Sequence, residues 1–226
     1  MKKKPKSALE RLLAIMARLR APDGCPWDRA QNHRTLRFHA VEEVYELLDA
    51  IEAGDDREVA EELGDLLLQI VFHTQMARER GAFDFETVCR LLVEKLIRRH
   101  PHVFGGVRNV DSAQAVWAQW DQIKKAEEAG SRSPRPSTLD GIPRHLPALL
   151  RAEKLVKKAR KAALLSPELA RRCRLSKREV ARRLFALAAH AQGRRWSAEE
   201  LLRAEAQRVE RQLRQKERER IGRDPA

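Results

Sequence analysis

"VEEVYELLDA" at residues 41–50 and "EELGDLLLQI" at residues 61–70 decide how this chain folds. Val41, Val44, Leu48 and Ile51 recur at helical spacing in and just after the first. Leu63, Leu66, Leu67, Ile70 and Val71 do the same in the second. "AGDD" at 53–56 reads as a turn between them. Two consecutive amphipathic helices on a short turn pack antiparallel through their apolar stripes. The carboxylates are unusual in placement. At 100° per residue, Glu42, Glu46 and Asp49 fall within about 60° of one another, with Glu43 about 60° from Glu46. Glu58, Glu62 and Asp65 share a strip about 60° wide. Each strip borders the apolar stripe of its own helix, so packing gathers several acids around one small volume.

The rest of the chain repeats the helical period. Leu9, Leu12, Leu13, Met16 and Leu19 form a helix opened by a Ser7–Glu10 capping box and stopped by Pro22. The acidic pair predicts helices over about 35–53 and 56–80, and further helices follow over about 84–99 and 112–129. "APDGCPWD" at 21–28 and "HPHVFGGV" after Arg99 read as loops. "GSRSPRPSTLDGIP" at 130–143 has the composition of a linker. Helical segments near 144–163, 176–192 and 197–220 lie beyond it, the last two with capping-box patterns at Ser176/Glu179 and Ser197/Glu200. Nothing reads as strand, so the expected fold is all-α: a domain at 1–129, a linker at 130–143 and a second helical region at 144–226.

Composition narrows the function classes. Cys25, Cys89 and Cys173 are odd in number and lack any CxxC pair, which argues against a disulfide framework or a cysteine zinc site and for a reducing cytoplasm. No apolar run approaches the roughly 20 residues that span a bilayer, so no membrane role is expected. "MKKKPKSALE" lacks the apolar core of a signal peptide. Residues 1–150 hold 23 basic and 23 acidic residues; the formal charge of +13 lies wholly in 151–226. That last third is either a solvated helical face or a contact for a polyanion.

Crowded carboxylates repel. Two like charges about 4 Å apart cost roughly 1 kcal/mol in water and about 4 at a surface-like dielectric. A divalent cation removes the cost, and an all-oxygen donor set without His or Cys suits Mg²⁺, with Mn²⁺ as a substitute. Magnesium brings phosphates with it. The acidic pair therefore points to metal-assisted phosphate chemistry, against the plainer reading of a solvated acidic face.

The residues also carry a family resemblance. "EEVYE" (Glu42–Glu46) fits EExxE and "ELGD" (Glu62–Asp65) fits ExxD, with fifteen residues between. "GCPWD" (Gly24–Asp28) precedes them; "KLIRRHPHVF" (Lys95–Phe104) and "WDQIK" (Trp120–Lys124) follow. In these ordered blocks, over about residues 7–160, the chain resembles the MazG-like nucleoside triphosphate pyrophosphohydrolases. Asn32 departs from the threonine more usual there. The resemblance implies an all-α fold, Mg²⁺-dependent cleavage between the α and β phosphates of nucleoside triphosphates, and a homodimer. By motif it implies Glu43, Glu46, Glu62 and Asp65 as metal ligands, with Glu42 a ligand, an orienter or a base for the attacking water. It also implies that the block holding Lys95, Arg98 and Arg99 meets the triphosphate, with Lys95 and Arg98 sharing a face.

Those cations have a plainer role as well, since a helix C-terminus favours positive charge. Trp27 would stack on a nucleobase or plug the helix ends. His33 would meet a base edge or cap a helix. Lys124 would approach phosphate. Trp117 and Trp120 read as packing, and His100 and His102 as loop structure. A different class of reading, a non-catalytic nucleotide-sensing or RNA-associated module, competes with the enzyme.

The second half reads as a degenerate copy of the first. "EELGDLLLQIVFHTQ" (61–75) aligns with "REVARRLFALAAHAQ" (178–192) at an offset of 117, matching Glu62 to Glu179 and Asp65 to Arg182. "FDFETVCRLLVEKLIR" aligns with "WSAEELLRAEAQRVER" at an offset of 113, matching Lys95 to Arg208 and Arg98 to Arg211. Between Arg160 and Arg178 the only acid is Glu168, so the copy has no EExxE and no expected metal site.

Overall fold

In the computed structural model, residues 7–106, 112–130, 137–165 and 175–223 are described. Cys173, Glu168 and positions 131–136 of the expected linker lie outside them. Among the described residues every regular element is an α-helix. The chain divides into two compact units, Met1–Asp121 and Gln122–Ala226.

The first unit begins with α1 (Ala8–Leu19), opened by the expected box: Ser7 Oγ accepts from the Glu10 N–H, and the Glu10 carboxylate accepts from the Ser7 N–H. The chain then turns sharply at Gly24, where any Cβ would overlap the Leu19 and Arg18 carbonyls. The expected loop at 21–28 ends in a short helix, α2 (Pro26–Ala30), because Pro26 at the first helical position gives up an N–H that needs no partner there. The helix expected over 35–53 starts later, as α3 (His39–Ala53). Asn32 Oδ1 accepts from the Arg34 and Thr35 N–H groups, which holds 32–38 in turns and drives Leu36 into the core. Gly54 closes α3 at φ +72°, and Asp55 caps α4 (Asp56–Glu79) through the Arg57 and Glu58 N–H groups.

Two further helices follow, α5 (Phe85–Arg99) and α6 (Pro101–Phe104). The second replaces an expected loop, again with proline at the first position. The helix α7 (Ala113–Ala129) carries the division between the units within it, short of the boundary expected at 129. His100 packs edge-on to Trp120, and His102 Nδ1 donates to Gln119 Oε1, so both histidines brace the middle of α7.

The core of this unit joins Met16, Leu36, Val71, Phe72 and Met76, with Leu12, Leu13, Leu67, Leu68 and Phe85 packed around it. Each fully buried side chain there contributes roughly 1.5–3 kcal/mol. Arg20 ties the unit together. Its Nε and Nη2 donate to Glu79, its Nη1 donates to the Asp28 and Gln31 carbonyls, and its guanidinium lies over the Phe72 ring.

The second unit holds α8 (Ala148–Lys161), α9 (Lys177–Gly193) and α10 (Ala198–Arg223). Leu139, Leu155, Ala159, Leu164 and Leu213 form its core. The end of the expected linker is thus a packed strap rather than a spacer: Leu139 is fully buried. Glu217 of α10 accepts from the Ser137 hydroxyl and from both the N–H and hydroxyl of Thr138. Arg214 pairs with Asp140. The α9 helix leaves Phe185 and Leu187 exposed.

Candidate active site

The turn at Gly54–Asp55 folds α3 onto α4, and the acids meet. One carboxylate oxygen from each of Glu43, Glu62 and Asp65 lies within 4.8 Å of the others. All three side chains are half-buried. Glu46 stands at the edge of this trio, close enough to share a proton with Glu43 and to raise Glu62 by repulsion. Burial, then the charge of Asp65, push the Glu43 carboxyl above its ordinary range, against the pull of a hydrogen bond from Gln69. Burial, then Glu46, Asp65 and Glu43, push Glu62 the same way. These acids crowd one another, and no lysine or arginine pairs with them among the described residues.

Gln69 escaped the sequence reading. It is buried, its Nε2 donates to Glu43 Oε1 at 3.2 Å, and its Oε1 has no partner among the described residues. A carboxylate only accepts, so the amide N–H₂ must face Glu43 and the oxygen is left over. The signal was present: Gln69 follows Asp65 by four residues and Glu62 by seven, on the same helical strip. Its apolar neighbours concealed it.

The donor set fits a hard divalent cation. It is all oxygen, it has no cationic side chain as partner among the described residues, and a spare buried carbonyl stands beside it. Mg²⁺ or Mn²⁺ matches those donors.

The other expected residues are spread more widely. Glu42 is exposed and faces His39, 3.6 Å away, rather than the trio. Asp49 and Glu58 are also exposed, outside it. Lys95 and Arg98 are exposed near the end of α5, with Arg99 half-buried beside them. Lys95 makes no ion pair among the described residues. Lys124 is exposed on α7, in the second unit. Trp27 is half-exposed, its ring edge-on to Phe72 at 6.4 Å. His33 is half-buried, and its Nδ1 lies 2.8 Å from His73 Nδ1. Trp117 and Trp120 pack edge to face at 5.9 Å.

In the second unit, Glu179, the counterpart of Glu62, already has cations: Arg182 at 2.6 Å and Arg183 at 3.0 Å. Among the described residues, Glu43, Glu62 and Asp65 are the one group of acids, histidines and cysteines arranged to hold a metal. No helix among them is long and apolar enough to cross a membrane.

Comparison with known proteins places these acids in context. Residues 31–104 match the family model described as the MazG nucleotide pyrophosphohydrolase domain. The chain is 49% identical over 151 residues to a nucleoside triphosphate pyrophosphohydrolase of Escherichia coli, covering 66% of this chain and 56% of that protein. It is 48% identical over 150 residues to the nucleoside triphosphate pyrophosphohydrolase/pyrophosphatase MazG of Thermotoga maritima, with the same coverage. The crystal structure of a mazG-related protein from Thermotoga maritima aligns at 28% identity and a TM-score of 0.44, covering 51% of this chain and 98% of that one. The chain thus spans a little over half the length of these two pyrophosphohydrolase relatives.

Proposed function

We propose, from the match of residues 31–104 to the family model described as the MazG nucleotide pyrophosphohydrolase domain, that this chain hydrolyses nucleoside triphosphates to a nucleoside monophosphate and pyrophosphate, as nucleotide-pool housecleaning. Water attacks the α-phosphorus, the bond to the α–β bridging oxygen breaks, and pyrophosphate leaves with the electron pair. The observation that carries the reading is the convergence of Glu43, Glu62 and Asp65, with two of the three carboxyls pushed up by one another and by burial.

Glu43, Glu46, Glu62 and Asp65 would hold Mg²⁺, or Mn²⁺ in its place. When bound, the cation supplies charge neutralisation at the phosphates and a more acidic water. Gln69 holds Glu43 in place from beneath. Glu42, at the rim, orients or deprotonates the attacking water. Lys95, Arg98 and Arg99 bind the triphosphate, Lys95 as a point charge and the arginines as forks. Trp27 and His33 meet the base.

The proposal extends to assembly and setting. Val41, Val44, Tyr45 and Leu48 on α3 and Leu91 and Leu92 on α5 stay exposed, and a homodimer would cover such faces. Residues 144–226 are a degenerate copy without chemistry of its own, whose basic helices offer a polyanion contact. The free thiols of Cys25 and Cys89 suit a reducing cytoplasm. A non-catalytic nucleotide-sensing or RNA-associated module is the second reading, favoured by the +13 charge of 151–226.

A pyrophosphate-release assay on standard and deoxy triphosphates, with and without Mg²⁺, separates the two. Metal-dependent pyrophosphate release is expected. Stepwise orthophosphate without pyrophosphate would overturn the reaction, and binding without turnover would favour the second reading.

A further inference from the structure

The strip of α4 that carries the acids does not end with them. At 100° per residue, Glu62, Asp65, Gln69, His73 and Arg80 all fall within about 80° of arc. His33 reaches this strip from the 31–38 turns. Arg80 Nη2 lies 2.8 Å from His33 Nε2, and His33 Nδ1 lies 2.8 Å from His73 Nδ1. The two rings are within 11° of parallel with centroids 5.0 Å apart, so the bond between them runs edge to edge.

Their proton positions follow from donor arithmetic. A guanidinium donates and never accepts. Arg80 therefore donates to His33, whose Nε2 must carry no hydrogen. The proton of His33 is then on Nδ1, and it is donated to a bare Nδ1 on His73. The proton of His73 is left on Nε2. The chain runs one way only: Arg80 to His33 to His73. A charged His73 would set two N–H groups against each other, and burial together with His33 indeed holds this imidazole below its ordinary pKa.

The far end of the chain is free. His73 Nε2 has no partner among the described residues, and it is not among their sealed, unpaired polar atoms. It is a donor of fixed polarity, about 12 Å along the helix axis from Asp65 at 1.5 Å per residue. That is the order of the span from an α-phosphate to the far edge of its base. Trp27, whose ring stands against Phe72 next in sequence to His73, adds a flat apolar surface nearby.

We propose that His73 is the specificity-determining residue for the nucleobase: its locked Nε2–H selects bases with an oxo acceptor at the purine 6- or pyrimidine 4-position, guanine and uracil, over those with an amino donor there, adenine and cytosine. This rests on the nucleotide-hydrolase reading above and names the substrate class within it. A neutral donor sorts acceptor from donor edges, whereas a phosphate would be met by charge. His33 and Arg80 are positioning residues. They fix the tautomer of His73; with both ring nitrogens of His33 engaged, its own contact with the base is through carbon atoms of the ring.

The test uses the full chain without metal. Imidazole ¹⁵N NMR should show His33 as the Nδ1–H tautomer and His73 as the Nε2–H tautomer, both neutral near pH 7. The opposite tautomer, or a charged His73, would overturn the relay. Titration with the four monophosphates needs no turnover. GMP and UMP should shift the His73 Nε2–H resonance and bind tighter than AMP and CMP. Equal binding, or no shift at His73, would overturn the assignment. In turnover, His73→Leu should cut the GTP-to-ATP ratio of kcat/KM about 2- to 10-fold, the worth of one neutral hydrogen bond. His73→Gln, which keeps an amide donor, should restore part of it. Arg80→Leu should also lower the ratio, and Arg80→Lys less so. A His73→Leu variant that slows all four triphosphates alike would reduce His73 to packing. If no triphosphate is hydrolysed but the monophosphate pattern holds, the hydrolase reading fails and the base assignment stands.

Discussion

The acids gathered between α3 and α4 of the first unit and the acids of the second unit are held in opposite ways. In the first, the carboxyls of Glu43 and Glu62 are pushed up, by burial first and then by one another. In the second, burial pushes Asp140 and Glu217 up, but Arg214, Ser137 and Thr138 outweigh it and hold both down. Glu179 and Glu205 are held down by neighbouring arginines. An acid with a resident partner is a fastener. An acid left among other acids is half of an interaction whose other half must come from outside. The contrast supports placing the proposed chemistry in the first unit, on grounds independent of family likeness.

The sharpest way to break the contrast is Glu62→Gln. Pyrophosphate release should fall at least about 100-fold with the loss of a metal ligand, while metal-free melting should hold or rise because repulsion falls. Adding Arg182→Asp in that silenced chain should restore nothing; recovered turnover would mean that the second unit has a site after all. Next in size, Lys95→Ala should lower kcat/KM for triphosphates about 10²-fold by loss of phosphate stabilisation. An unchanged value would leave Lys95 as a helix-end charge.

Glu217→Ala probes the other side of the contrast. It strands the Ser137 and Thr138 donors and should cost about 1–3 kcal/mol in urea unfolding, with Mn²⁺ affinity unaltered. A drop in Mn²⁺ affinity would tie the fastener to the site. The smallest effect is one of pH. Raised acids bind more protons folded than unfolded, so metal-free stability of the first unit should decline as pH rises from the ordinary value of 4.5 through the raised ones. Lowered acids do the reverse: the stability they give the second unit is present above the ordinary range and lost as pH falls through their lowered values. Hydrogen exchange at Val71 and Leu155 reads each unit separately. Saturating Mg²⁺ should flatten the first trend only.

The helices were legible because their apolar spacing is local, and so was the acidic pairing, because a four-residue turn leaves α3 and α4 little freedom. Local readings failed where the deciding partner is distant in sequence. Leu139 looked like part of a polar spacer, yet Leu213 and Glu217 of α10 bury it and its neighbours. Pro26 and Pro101 looked like breaks, yet each starts a short helix. Gln69 passed as an interruption in an apolar run, and His73 and Arg80 drew no attention, because their meaning comes from Glu43 and His33 across the fold. Glu42 stands apart from its motif neighbour Glu43 because one residue along a helix is a turn of about 100°, which sets it beside His39 at the rim.

Arg20 joins the end of α4, through Glu79, to the backbone of Asp28 within α2 and of Gln31 at its end. A segment of turns and one short helix would otherwise open and close on its own, at little free-energy cost, like most surface loops. With one guanidinium bridging it to a long helix, that segment becomes part of the helix's cooperative unit. Trp27 and His33, which ride on it, therefore sample few orientations between encounters with a ligand. On the proposed reading, the end that recognises the base is pre-set and the carboxylate end relaxes as it takes up a cation, so binding should be nearly rigid at one end and coupled to relaxation at the other.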